Sequence, residues 1–206
     1  MAWAPDYCTT AELRAYATRS AVTVDDTELA LAVTAASRVV DQYCGRQFGQ
    51  VSPAEARIYS AEYDRRRGRW LIPTDDISSV TNLAIAVDDD DDQVFDQAIT
   101  DYRLDPFNAT ALSRPWTRII VNSDSAVTPS CAEGAVQVTA LWGWTAVPTA
   151  IKNATLIVAN RIFQRRVSPF GIAGSPETGS ELRLLRSVDV DAQQILAPYR
   201  RQWGAV

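Results

Sequence analysis

The apolar residues of this chain change their repeat twice, and that switch restricts the fold more than any single motif. Leu29, Ala32, Val33, Ala36, Val40 and Tyr43 recur at three- and four-residue steps, as on one side of a helix. From about residue 55 the runs become short and strand-like: Arg57–Tyr59, Arg69–Ile72, Val80–Ile85, Tyr102–Leu104, Arg118–Val121 and Ala135–Thr139. After Trp142-Gly143-Trp144 the helical step returns with Ile151, Ala154, Thr155, Val158 and Ile162. The pattern predicts an α+β fold. A small helical bundle comes from the N- and C-terminal parts, 1–54 and 148–206, and an antiparallel β-sheet region, 55–147, is inserted between them. The sheet is expected to have about five or six strands. There is no internal repeat.

Local signals set the element ends. Thr9-Thr10-Ala11-Glu12 reads as a capping box that starts a helix running to about Thr18. Asp25, Asp26 and Glu28 suit a helix first turn, and Gly45 suits the residue after a helix ending at Cys44. Alanines at 30, 32, 35 and 36 allow close helix packing. Turns are expected at Arg67-Gly68, Pro73–Asp76, Asp105–Asn108 and Glu133-Gly134. Pro148 fits a first helical position, and Arg165-Arg166 suits the end of that helix. Residues 168–181 have linker composition and are expected to form a mobile loop. A last helix is expected over about 187–197, with Ile195 and Leu196 inward and Pro198 ending it.

Composition excludes several function classes. Apolar residues are 47% and charged residues 22% of 206, which is globular rather than disordered. No apolar run approaches the ~18 residues of a membrane span. Met1–Tyr7 has neither the basic start nor the apolar core of a signal peptide. The chain has no histidine, so Ser-His-Asp and Cys-His catalysis and the common zinc sites are absent. Lys152 is the single lysine, and Schiff-base chemistry would have to rest on it. Cys8, Cys44 and Cys131 lack Cys-x-x-Cys spacing and read as reduced, mostly buried thiols. Gly171, Gly174 and Gly179 are not followed by the lysine of a phosphate-binding loop. No cofactor is expected.

Charge is uneven. The net charge is −5, yet residues 1–147 hold twelve Arg against twenty-one Asp/Glu, and residues 148–206 hold eight Arg/Lys against four Asp/Glu. A protein that grips duplex phosphates needs a basic stripe, which this acidic chain lacks. Asp88, Asp89, Asp90, Asp91 and Asp92 offer oxygen ligands for calcium, but the spaced ligands and glycine of an EF-hand loop are missing. The run reads as a self-repelling, solvated hairpin loop. Arg65, Arg66 and Arg67 sit at a turn, either as an exposed hairpin tip or as a contact for nucleic acid or an acidic partner. Trp116, Trp142 and Trp144 read as packing residues rather than a stacking platform. Scattered Asp/Glu at turns leave a carboxylate-dependent hydrolase as the competing enzyme class, without a spacing that singles out a pair.

Several segments, in order, resemble one family. These are Tyr7–Tyr16, Ala35–Phe48, Trp70–Pro73 with Ile77–Thr81, Val138–Trp144 with Val147-Pro148, Ala154–Phe163, Ser168–Gly171 and Leu196–Arg201. Together they are similar to the head-to-tail connector (adaptor) proteins of long-tailed phages. The resemblance implies a structural virion protein without enzymatic activity, assembled in the host cytoplasm and resident in the neck at the portal vertex. Its partners would be the portal protein, copies of itself in a ring of about twelve, and the next neck or tail protein. DNA would pass through the ring without specific binding, and no membrane is involved. The family comparison also implies portal docking by the C-terminal segment, here Tyr199, Arg200, Arg201 and Trp203. Asp88–Asp92 and Arg65–Arg67 are the lumen- or partner-facing candidates. A stopper or tail-completion protein of the same neck is the neighbouring alternative.

Overall fold

The structure, a computed structural model, describes residues 4–17, 25–165, 172–173, 182–183 and 189–201. The chain divides into two compact units, one of residues 1–48 with 147–206 and one of residues 49–146. The first is a helical bundle and the second is an antiparallel sheet, the α+β arrangement that the change of period predicts.

In the helical unit, α1 spans Thr10–Tyr16. The Thr9 hydroxyl accepts the Glu12 N–H at 3.2 Å, and the Glu12 carboxylate accepts the Thr9 N–H at 2.9 Å. This reciprocal pair satisfies two donors that a helix start leaves open. α2 spans Asp26–Cys44 and is capped by Asp25, whose carboxylate accepts the Thr27 N–H at 3.1 Å. Gly45 ends it at φ 64°, a left-handed conformation that any side chain would strain. The buried face is Leu29, Ala32, Val33, Ala36, Ser37, Val40 and Cys44, while Ala30 and Ala35 face solvent. Ser37 joins the core because its hydroxyl donates to the Val33 carbonyl at 2.8 Å.

α3 spans Thr149–Arg165. Pro148 stands one residue before it rather than at its first position, and its carbonyl accepts the Lys152 N–H at 3.1 Å. Ile151, Ala154, Thr155 and Val158 are buried as spaced, and Ala159 and Phe163 complete the stripe where Ile162 is only half-buried. α4 spans Val190–Leu196 and runs into a 3₁₀ turn, Ala197–Tyr199, that contains Pro198. Leu196 is fully buried and Ile195 half-buried. Helix α2 packs on α3, α3 on α4, and α1 on both α2 and α3. Two short strands, β8 (Ile172–Ala173) and β9 (Leu182–Arg183), pair antiparallel within and just beyond the expected loop. The rest of that loop, Thr18, Arg166 and residues 187–188 lie outside the described residues.

The sheet unit contains β1 (Glu55–Tyr59), β2 (Glu62–Asp64), β3 (Arg69–Val87), β4 (Gln97–Ala98), β5 (Arg103–Asp105), β6 (Trp116–Asn122) and β7 (Val136–Trp142). The strand order is β1-β7-β3-β6-β5, with β2 and β4 also paired to β3. Strand β3 departs from expectation. The runs 69–72 and 80–85 are one strand of nineteen residues, and Pro73–Asp76 is not a turn. Arg69–Pro73 pairs with β6 and Ala84–Val87 with β7, while Ile77 lies opposite both Trp116 and Trp142. The register shifts on both sides of Ile77. A proline cannot donate to a ladder, so the ladder breaks at Pro73 while the chain continues through a bulge.

Backbone and side-chain hydrogen bonds close that bulge. The Gly143 N–H donates to the Asp76 carbonyl at 2.6 Å, and the Trp144 indole N–H to the Asp76 carboxylate at 3.0 Å. The Trp142 indole N–H donates to the Glu55 carbonyl at 2.8 Å. Both tryptophans are core residues, and Trp116 is half-buried. Strand β7 alternates, with Val136, Val138, Ala140 and Trp142 buried and the residues between them half-exposed. Each valine among them contributes roughly 1.5–3 kcal/mol by leaving water, and the alanine methyl less. Among the described residues no helix is long and apolar enough to cross a membrane.

Ile77, fully buried where β3 passes from one partner to the other, is the position on which the sheet is most exposed to truncation. Ile77→Ala is expected to lower stability by about 2–5 kcal/mol. Ile58→Ala, at a side chain that is 60% exposed, is expected to stay within about 0.5 kcal/mol of wild type. Urea unfolding followed by tryptophan fluorescence reads both.

Candidate functional site

The residues singled out from the sequence fall into two groups, one in each unit. The C-terminal group is folded back onto the helical bundle. Tyr199 is half-buried and meets the ring of Phe48 edge-on at 6.0 Å between centroids. Arg200 is exposed and stands over the Tyr43 ring at 5.9 Å. The Arg201 N–H donates to the Cys44 carbonyl at 2.7 Å, satisfying one of the acceptors that the end of α2 leaves open. Trp203 lies outside the described residues.

Phe48, fully buried, is the residue on which this arm rests. Its other side meets Tyr7 edge-on at 5.6 Å, and its N–H donates to the Tyr7 hydroxyl at 3.0 Å. That hydroxyl donates in turn to Asp41. Burial first, and then the bond to Asp41, raise the Tyr7 hydroxyl well above the usual tyrosine range. Burial also raises the Asp41 carboxyl, against the opposing pull of Tyr7 and Arg38. The extended segment before α1 is held to α2 by further bonds: Tyr7 N–H to the Ser37 hydroxyl at 3.1 Å and the Thr34 hydroxyl to Asp6 at 3.0 Å. No local pattern pairs residues this far apart. Tyr7 and Phe48 do lie inside the segments that carry the family resemblance, and that was the available signal.

The second group is the charged turns of the sheet unit. Arg65, Arg66 and Arg67 form the exposed tip between β2 and β3, with Gly68 at φ 58°. The Asp64 carboxylate accepts the N–H groups of Arg66 and Arg67 at 3.1 and 3.3 Å and shapes the turn. Asp88–Asp92 open the β3–β4 hairpin loop. Asp89–Asp92 are exposed as expected, but Asp88 is buried. Its carboxylate accepts the N–H groups of Asp91, Asp92 and Gln93 at 2.8, 3.3 and 2.8 Å. Asp88 is therefore the organiser of the loop rather than part of its solvated face. The turn also supplies a spacing that five adjacent acids conceal. Alternate residues Asp88, Asp90 and Asp92 bring carboxylate oxygens within 4.8 Å of one another, a set of hard oxygen donors that could hold a cation. The charge of Asp92, and then burial and Asp89, raise the Asp90 carboxyl above its usual range.

The remaining chemical candidates are engaged within the fold. Lys152 forms an ion pair with Glu12. Among the described residues the buried carboxylates are Asp76 and Asp88, each hydrogen-bonded to a group of its own unit. All three cysteines are free; Cys8 and Cys44 are buried, while Cys131 is exposed.

No family model matches the chain, and no curated protein matches it. Its fold is similar to that of a chain in a solved structure described as the neck of an empty GTA particle computed with C6 symmetry. The TM-score is 0.55 at 17% identity, over 100% of this chain and 96% of that one. The likeness therefore takes in the helical and sheet parts together.

Burial pushes the Cys8 thiol up to about 11 and the Cys44 thiol up to about 12, from an ordinary value of 9.0. The unfolded chain releases these protons first, so their contribution is fully present below pH 9 and is lost as pH rises toward 11 and 12. Each thiol changes stability by at most about 1.4 kcal/mol per pH unit in that window. Urea midpoints are expected to fall as pH rises from 9.0 to about 11 and to fall less steeply in Cys8→Ala and Cys44→Ala. A wild-type midpoint unchanged across that window would contradict the burial of both thiols.

Proposed function

We propose that this chain is a structural neck protein of a phage-like particle, and within the neck the head-to-tail adaptor. In this role it forms a ring of about twelve subunits beneath the portal, continues the DNA channel and presents a platform to the next neck or tail component. The observation that carries the proposal is the fold likeness over 100% of the chain to a chain of a particle neck. The order of the resembling segments, from Tyr7 to Arg201, supports it independently. A six-fold symmetric neck is compatible with a ring whose subunit number is a multiple of six. The helical bundle supports the adaptor over a stopper, because stoppers and tail terminators are mainly strand-built.

The physical character of the chain suits a ring that passes DNA. Its net charge of −5 disfavours tight binding of phosphates, so a translocating duplex is not held. The lack of histidine and the engagement of Lys152 with Glu12 leave little for a catalytic reading to use. Portal docking is assigned to the C-terminal arm. Tyr199, Arg200 and the Arg201 backbone also serve the bundle, and the docking residues proposed are Tyr199, Arg200, Arg201 and Trp203.

The test mixes the protein with a portal ring from the same particle, sediments the mixture and images the pellet by negative-stain electron microscopy. A second layer of density on one end of the portal is the expected result. Deletion of residues 202–206 is expected to abolish co-sedimentation while leaving the melting temperature unchanged. Deletion from residue 198 is a poorer test, since it also takes Tyr199 from Phe48. Absence of co-sedimentation by the intact, folded protein would move the assignment to a stopper or tail-side component.

A further inference from the structure

The sheet unit carries two exposed turns of opposite charge, one entering β3 and one leaving it. At the first, Arg67 and Arg69 reach Asp64 at 3.9 and 3.5 Å, whereas Arg65 and Arg66 make no ion pair among the described residues. At the second, Asp89 accepts the Gln97 side-chain amide at 2.9 Å and Asp92 accepts the Val94 N–H at 2.8 Å. Both turns are thus held in shape by their own carboxylates. Each also concentrates like charge at a tip, which a counter-charge would relieve. Among the described residues no ion pair joins the two turns within one chain.

We propose that the Arg65–Arg67 turn of one copy docks on the Asp89–Asp92 loop of the next copy. This deepens the neck reading, since a contact between two different surfaces, repeated by rotation, is what closes a ring. Arginine suits the task because its planar fork engages carboxylates with paired hydrogen bonds. The surroundings of the basic tip favour a small acidic loop over duplex DNA. Gly68 accepts the Ser123 N–H at 3.2 Å, and Ser125 in the same turn donates to Asp101 at 3.2 Å. Asp64 lies at the base of the tip and the Ser123–Ser125 turn, which contains Asp124, stands beside Gly68, so a long polyanion would meet these carboxylates as well as the arginines. Residues 49–146 hold eight Arg against fifteen Asp/Glu, so the whole unit repels a phosphate backbone. Screening limits these charges to a range of about 8 Å at physiological salt, where the local match of the two turns decides.

The test uses the full chain and two charge-reversed variants. Arg65→Glu/Arg66→Glu makes both turns acidic, and Asp89→Arg/Asp90→Arg/Asp91→Arg makes both basic. Neither touches Asp64, Asp88 or Asp92; the second gives up the Asp89–Gln97 bond, so circular dichroism and melting verify that each variant folds. Sedimentation velocity over a concentration series is run at about 0.05 M and about 0.5 M salt. Wild type is expected to self-associate and to lose association at the higher salt. Each variant alone is expected to associate roughly tenfold or more weakly. An equimolar mixture of the two is expected to restore association, because every contact then has opposite charges again. A wild type that stays monomeric throughout, variants that associate as wild type does, or a mixture that sediments as two monomer populations overturns the contact. So does a wild type that shifts duplex DNA in a gel while Arg65→Glu/Arg66→Glu does not, which would make nucleic acid the partner of the tip. Portal co-sedimentation is scored separately. Self-association with rescue but no portal binding supports this contact while sinking the adaptor role, and portal binding unaffected by either variant does the reverse.

Discussion

The hydroxyl of Tyr7 is where the helical unit is tied together. It donates to Asp41 on α2 and accepts the N–H of Phe48 beyond the end of that helix. Phe48 is thereby fixed with one edge contact to Tyr7 and another to Tyr199. Three stretches that are remote in sequence, the segment before α1, the end of α2 and the C-terminal arm, share one small aromatic cluster. A buried hydroxyl with both a donor and an acceptor partner adds net stability, whereas losing one partner leaves a desolvated group exposed to the full penalty. The Arg201 N–H on the Cys44 carbonyl fastens the arm by a second, backbone bond a few residues away.

In the sheet unit the equivalent constraint is β3. Nineteen residues of one strand serve β2 and β6 with one half and β4 and β7 with the other. The bulges around Ile77 let the strand change partners without leaving the sheet, and Asp76 is bonded through its carbonyl to Gly143 and through its carboxylate to Trp144. The two charged turns are the continuations of this strand at either end. Their positions follow from β3, and their shapes follow from Asp64 and Asp88, which spend their carboxylates on backbone N–H groups.

One unit holds a C-terminal arm against its own core, and the other presents fixed tips of opposite sign. At physiological salt the proposed repulsion of phosphates and the proposed attraction between turns both act over about 8 Å, so the charge immediately around each turn decides which partner it accepts.

Much of the fold was legible along the chain. Capping at Thr9–Glu12, the left-handed stop at Gly45, the inward stripes of α2 and α3 and the alternation of β7 are local matters of spacing and hydrogen-bond chemistry. Such signals act over a few residues, so they survive without knowledge of neighbours. The same local logic misjudged Pro73–Asp76, because proline and two aspartates mark a turn and a bulge alike. Only pairing with β6 and β7 decides between them. It also treated Asp88 as one of five equal acids, although its burial and its three N–H partners separate it from the exposed four. Spacing and composition settle the two helical parts, the inserted sheet, the charge of both turns and the lack of histidine chemistry. Tertiary structure alone decided that Tyr7, Phe48 and Tyr199 meet and that β3 is continuous, because those outcomes depend on partners far along the chain, beyond the reach of any local spacing.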